Sequence, residues 1–252
     1  IKDILRRCVI CKRFQGKCLK PPPTPDLPKF RVHEFGHSFQ SCGLDFAGPL
    51  IVQNTKLNAL SKTYILLFTC ATTRAIHLEL TPDMKIPAFI RALKRFISRR
   101  GTPELIVHDN FKTFKSKEVK RYLVTHGIAQ HFILPALPWW GGFYERLVRS
   151  VKMSLKKVLG KSLLTFEELQ TMLCEVEGII NGRPLVYKSG DDLTQAITPF
   201  DIIFGRDIYK SIEKPTVEIK KVTEISNSNS CSKRLKHLQN VIGHYFMRFQ
   251  SI

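Results

Sequence analysis

The run TYILLFTCA, residues 63–71, constrains this chain more than any other stretch. It is too short to cross a bilayer and reads as a strand buried in a sheet. Its neighbours fix the kind of sheet. SCGLDFAGPLIV alternates and stops at QNTKLN, while KTYILLFTCATTRAIHLEL reads as one long strand or as two joined by the polar turn near Thr72 and Thr73. Together these runs predict three adjacent antiparallel strands. KIPAFIRALKRFISRRG then places apolar residues at 86, 89, 90, 93, 96 and 97, a helical stripe closed by Gly101. PELIVHD and IAQHFILP are short strands, and the helical SKEVKRYLVTHG between them ends at Gly127. Helical crossovers between short apolar strands add parallel pairing to the antiparallel set, so the expected class is mixed α/β in layers. Two long helices follow, from about Gly142 to Leu159 and from about Thr165 to Asn181, the second opened by a capping box from Thr165 to Glu168.

The flanks differ from this middle. Residues 1–20 are basic and contain CVICKRFQGKC, and 21–35 form a linker whose proline-rich PPPTPDLP is expected to be stiff and extended. The compact core is expected over 36–206. In the extension 207–252, the polar SNSNSCS precedes a helix whose apolar face carries Leu235, Leu238, Val241, Ile242, Tyr245, Phe246 and Phe249. No internal repeat is visible. Seven cysteines, an odd number, are scattered along the chain without a signal-like apolar block at the front, as suits a reducing compartment. Cys70 and Cys174, in apolar runs, read as core fillers.

Forty Lys and Arg against 21 Asp and Glu leave a net charge of +19, which favours a polyanionic partner such as nucleic acid. Within that surplus, PWWGGFYERLVRSVK at 138–152 carries one acid, Glu145. On a helical wheel Glu145, Arg149, Lys152 and Lys156 fall on one narrow face. Leu147, Val148, Val151, Leu155, Val158 and Leu159 take the neighbouring broad one. Taken alone, Glu145 and Arg149 also make an ordinary helix pair on a solvated face.

Two further acids alter the reading. Asp45 interrupts CGLDFAGPL, where a charge is costly unless paired, hydrogen-bonded or metal-bound, and Asp109 ends ELIVHD at a turn. Local alternatives exist for each: Asp109 with Asn110 resembles a turn or cap, and Gly43, Gly48 and Pro49 also admit an edge position for Asp45. If the strand of Asp45 is central and the strand of Asp109 adjoins it, the two converge at the crevice, and the glycines before Glu145 let its loop approach. Three close carboxylates repel one another and want cations between them. Oxygen donors suit Mg²⁺ or Mn²⁺, and a pair of such ions about 3.5–4 Å apart serves in-line displacement at a phosphodiester.

CGLDFAGPL, FTCATTRAIHLEL, HDNFKTF, PALPWWGGFYERLVRSVKMSLKKVLG, LLTFEELQTMLCEVEGIINGRPL and ITPFDIIFGR resemble, in order, the integrases of BEL/Pao-type long-terminal-repeat retroelements, within the retroviral integrase and DDE transposase group. The resemblance covers nearly the whole chain, most strongly 42–206. It implies a ribonuclease H-like mixed five-stranded sheet flanked by helices, with a short N-terminal zinc-domain remnant and a helical C-terminal tail. The family's acidic triad falls on Asp45, Asp109 and Glu145, with 35 residues between the last two. It implies trimming of element DNA ends with water and then attack on target DNA by the freed 3′ hydroxyl. The enzyme would act in a homo-oligomer, in the nucleus with a cytoplasmic assembly phase and away from membranes. Arg149 and Lys152 match basic positions that contact DNA ends, Lys156 shares their face, and Asn110 either orients substrate or caps its turn. Trp139 and Trp140 have two roles open to them, stacking on bases or wedging a loop against the core.

Two departures favour an alternative, a catalytically idle DNA-binding or assembly protein descended from such an element. Phe111 stands where relatives favour a small residue, so it narrows the cleft or packs beneath it. At the front, Cys8 and Cys11 resemble the back half of a His-His-Cys-Cys zinc module, whose histidine pair is missing; zinc is then expected only if a longer natural chain completes the site. His33 and His37 lie on the wrong side of the cysteines, and Cys18 is an unsupported third ligand.

Overall fold

The computed structural model describes residues 3, 7–10, 13, 26–32, 36–54, 59–133, 141–159, 162–187 and 196–204. Its frame is a five-stranded sheet of β1 (Ser41–Asn54), β2 (Ala59–Cys70), β3 (Ile76–Thr81), β4 (Leu105–His108) and β5 (Ala129–Phe132), in the order β3-β2-β1-β4-β5. The first three strands are antiparallel; β4 lies parallel to β1, and β5 parallel to β4. The turn at Thr72 and Thr73 therefore joins two strands, with Arg74 at φ 61° carrying the reversal. After the helical turn Lys29–Val32, the helices of this core among the described residues are α1 (Ile86–Arg100), α2 (Lys117–Thr125), α3 (Gly142–Leu159), α4 (Phe166–Asn181) and the short α5 (Pro199–Phe204). The second sheet is a pair of two-residue strands, β6 (Val186–Tyr187) and β7 (Ala196–Ile197). Among the described residues no helix is long and apolar enough to cross a membrane.

Strand alternation sorts the sheet into two faces. Ile65 and Leu67 of β2 join Val148, Val151 and Leu155 of α3 and Met172, Leu173 and Val176 of α4 in one core. Leu66 and Phe68 turn the other way, onto Phe89, Leu93 and Phe96 of α1 and Val119 and Leu123 of α2. The result is three layers with the sheet in the middle. α4 begins where the capping box requires: the Thr165 hydroxyl accepts from the Glu168 amide, and the Glu168 carboxylate accepts from the Thr165 amide.

Strand β1 reconciles two readings of Asp45. It is the central strand, but β4 pairs with it only from Ser41 to Leu44, so from Asp45 until Val52 bridges Leu164 one side of β1 has no strand partner among the described residues. That is how a carboxylate and Pro49 fit into a central strand, with the register against β2 shifting between Ala47 and Leu50.

Cys70 is buried as expected, but Cys174 is exposed. The buried face of α4 runs through Leu169, Met172, Leu173, Val176, Ile179 and Ile180, and position 174 falls outside that stripe. The zinc-type Cys11, Cys18 and His33, as well as Trp139, Trp140 and the tail 207–252, lie outside the described residues.

Strand β3 is buried along its whole length, His77 and Glu79 included. Its outer edge is completed by side chains of α4. The Asn181 amide accepts from the Ile76 N–H (2.7 Å) and donates to the Ile76 carbonyl (2.8 Å), and a Glu177 oxygen accepts from the Leu78 N–H (2.8 Å). The edge that would otherwise offer free backbone groups is thus closed within the chain.

Candidate active site

The parallel register of β1 and β4 brings the two aspartates together. Leu44 faces His108 across the ladder, so the next residues, Asp45 and Asp109, emerge side by side where β4 ends. Gly43, Asp45 and Ala47 share a strand face, and that face looks toward α3. A Cβ on Gly43 would lie 2.5 Å from the Tyr144 ring and 2.8 Å from that of Phe143. The bare glycine therefore lets the first turn of α3 sit on β1 and carries Glu145 toward Asp45. Gly141 packs as closely, since a Cβ there would stand 2.9 Å from a Glu145 carboxylate oxygen, whereas one on Gly142 would meet nothing within 4 Å. Of the two glycines before Glu145, only the first sits in close contact, against the side-chain ends of Tyr144 and Glu145.

This contact makes a prediction. Gly43→Ala is expected to lose about 1–3 kcal/mol of stability through overpacking, measured by urea denaturation. Gly142→Ala, with open space around it, should lose far less. Equal losses would mean that the seat of α3 on β1 is not tight.

Electrostatics couple the three acids. The Asp45 carboxyl is raised to about 6, first by burial and then by Asp109, with Glu145 adding to the rise while a backbone hydrogen bond at Phe46 and the charge of Lys152 oppose it. Tyr144 is pushed upward by burial and by the same three carboxylates, so its phenol stays protonated, and its buried hydroxyl has no hydrogen-bond partner among the described residues. His108, lowered chiefly by burial, stays neutral: its Nδ1 lies 2.7 Å from the Asp109 carbonyl, and its Nε2 is 2.8 Å from the Gln130 amide nitrogen. No imidazolium therefore offsets the aspartates.

In front of Asp45 lies an open cavity of about 450 Å³ lined by Asp45, Glu145, Val148, Arg149, Lys152, Met153 and Lys156. The basic face drawn on the helical wheel is real, with Glu145, Arg149, Lys152 and Lys156 exposed together while Leu147, Val148, Val151, Leu155 and Val158 are buried. Asp109 is not part of that lining; its Oδ1 accepts from the Phe111 N–H at 3.1 Å. The Asn110 amide donates to the Ile133 carbonyl (2.9 Å), tying the end of β4 to the end of β5. Phe111 packs beneath the site, with ring centroids 5.8 Å from Phe46 and 5.9 Å from Phe114, and leaves the cleft in front of Asp45 unobstructed.

A buried carboxyl whose charge is made costlier by two neighbouring carboxylates suits a hard divalent cation in its donor chemistry. Among the described residues, no three His, Cys, Asp or Glu side chains are gathered into a ready-made metal cage. Sequence reasoning missed Gly43 and Tyr144 as the contact that seats Glu145. The available signal was a side-chain-free position two residues before an acid in a buried strand.

Residues 48–138 match the integrase core domain family. Nearly the whole chain, 98%, aligns at 26% identity with a Caenorhabditis elegans protein described as "Uncharacterized protein K02A2.6", of which it spans only 17%. A chain of the simian T-cell lymphotropic virus intasome, solved in complex with PP2A regulatory subunit B56 gamma, superposes with a TM-score of 0.53 at 15% identity, over 82% of this chain and 66% of that one. The catalytic core domain of HTLV-2 integrase in complex with magnesium gives 0.49 at 18% identity, over 66% and 97%. The sheet order and the intasome superposition agree on the fold, a ribonuclease H-like mixed five-stranded sheet flanked by helices, and residues 48–138 within it are similar to the integrase core domain family.

Proposed function

We propose that the chain is the catalytic core of a BEL/Pao-type retroelement integrase, a metal-dependent polynucleotidyl transferase that processes the 3′ ends of element DNA and joins them to target DNA. One observation carries the reading: Asp45 is buried and raised by Asp109 and Glu145, acids from two other elements, beside a cleft whose remaining charges are Arg149, Lys152 and Lys156. A basic wall alone would bind any polyanion, and the buried acid at its base is costly unless it has a task.

Asp45, Asp109 and Glu145 would hold the divalent cations. Such ions, when bound, activate an attacking hydroxyl and relieve charge on the leaving oxygen of a phosphodiester. The other work falls to the chain itself. Arg149, Lys152 and Lys156 bind backbone phosphates along α3, Lys152 also favours the ionised form of Asp45, and the packing of Tyr144 over Gly43 holds Glu145 in register with β1. A homo-oligomer would bring two element ends together on the target.

The test is a joining assay with labelled DNA ends in Mg²⁺ or Mn²⁺, comparing the full-length natural protein with its Asp109→Asn variant. Product from the first and none from the second is expected. Equal product from both would exclude the chemistry, and DNA binding without product from either would identify an idle descendant of an integrase.

A further inference from the structure

Two arginines from separate elements lie over the ring of Phe143 at the α3 N-terminus, and two more, from two further elements, act on one of them. The guanidinium of Arg31, from the helical turn Lys29–Val32, lies 5.5 Å from the ring centroid, and that of Arg74, from the β2–β3 turn, lies 5.9 Å from it. Arg183, just after α4, donates to the Arg74 carbonyl (2.7 Å) and to the Ile180 carbonyl (2.6 Å), which fixes the turn that presents Arg74. Arg146, one position beyond Glu145 and exposed, adds its charge to the group.

Among the described residues, no carboxylate forms an ion pair with any of the four; the ion pairs there belong to Arg95, Arg99, Arg100 and His77. Arg31 Nε is buried without a hydrogen-bond partner among those residues. Burial, with mutual repulsion behind it, lowers Arg74, and burial followed by the charge of Arg74 lowers Arg183 to about 10. Like charges held this closely, with an orphaned donor among them, fit a bound anion of fork geometry, and phosphate is the anion such guanidinium groups match best.

We infer that Arg31, Arg74 and Arg146 form a second phosphate-binding patch, which takes successive backbone phosphates of DNA, one to each arginine, outside the acidic cleft while Arg183 positions Arg74. The inference rests on the reading of the chain as a DNA-joining enzyme only for the identity of the polymer.

The experiment is fluorescence anisotropy of a labelled DNA duplex with the full chain, in EDTA, across a range of salt concentrations. Each phosphate-paired charge contributes about 0.9 to the slope of log K against log salt. Arg31→Gln with Arg74→Gln should therefore flatten the slope by about 1.8, about 0.9 for each charge. The paired Lys substitutions should keep it, as should Lys120→Gln with Arg121→Gln on the exposed side of α2. If the Gln pair does not fold, as judged by circular dichroism, Arg146→Gln alone should flatten the slope by about 0.9.

An unchanged slope in the folded arginine variants, or an equal loss in the α2 pair, would overturn the patch. A thermal shift with inorganic phosphate that these substitutions abolish, without any change in the DNA slope, would overturn its assignment to DNA. Failure of the joining assay alone would sink the enzymatic reading and leave the slope result standing.

Discussion

Asp45→Asn is expected to stabilise the cation-free protein at neutral pH while abolishing strand joining. The carboxyl at this position is raised to about 6 by burial, Asp109 and Glu145, so ionising it in the folded chain costs free energy that the unfolded chain does not spend. The sign follows from the shift. Because the folded value lies above the ordinary 3.8, the wild type gains stability as pH falls through about 6 and loses it as pH rises through that value. An asparagine escapes this penalty, which amounts to about 1–3 kcal/mol above pH 7 once residual solvent contact is allowed for. Thermal denaturation in EDTA should show the variant melting higher at pH 7.5, with the gap closing near pH 4. Adding Mn²⁺ should raise the wild type and leave the variant where it was. A variant less stable than wild type at neutral pH would mean that Asp45 has a structural partner and not a vacant task.

The second large effect lies across the sheet, away from the cleft. Glu177→Ala is expected to cost about 3–5 kcal/mol, the range for breaking a buried charge pair by removing one partner. Glu177 is 12% exposed; it accepts from Arg100 at 2.5 Å and from the Leu78 N–H at 2.8 Å, and lies 3.4 Å from the His77 ring. Glu79 completes the group, bonded to His77 (3.1 Å), to Arg95 (2.6 Å) and to Arg99. Burial alone would pull His77 down, but its hydrogen bonds to Glu177 and Glu79 outweigh that and hold it above its ordinary range. Burial alone would raise both glutamates, yet His77 and the arginines leave them low.

The group therefore stabilises the fold in a window. The glutamate contribution fades as pH falls below the usual carboxylate range, and the His77 contribution fades as pH rises through its elevated value. Urea denaturation of Glu177→Ala should show the full loss near pH 6 and a flatter dependence on the alkaline side. Joining per folded molecule should stay near wild type, because β3 is at the far edge of the sheet from β4.

How much of this could be read in advance depends on where the chemistry sits. The carboxylates were legible because an acid inside an apolar strand and another at a strand end leave few arrangements, and the β1–β4 register realises one of them. The polar face of α3 was legible because helical period alone separates it from the buried stripe. The charged group around His77 was not. IHLEL alternates like a half-exposed strand, but α1 covers one face of β3 and α4 the other, so the residues that alternation assigns to solvent are buried and must find charged partners. Cys174 erred in the opposite direction, since an apolar run within a helix does not put every member on the inner face. The arginine cluster stayed hidden because its members come from four elements far apart in the chain, and only tertiary packing gathers them.

The proposed function requires Asp45, Asp109 and Glu145 to serve one common cation site. Mn²⁺ is to be titrated by calorimetry into the wild type and the three single variants Asp45→Asn, Asp109→Asn and Glu145→Gln. Each substitution is expected to weaken the same binding event by an order of magnitude or more. Unchanged binding in any one of the folded variants would contradict it.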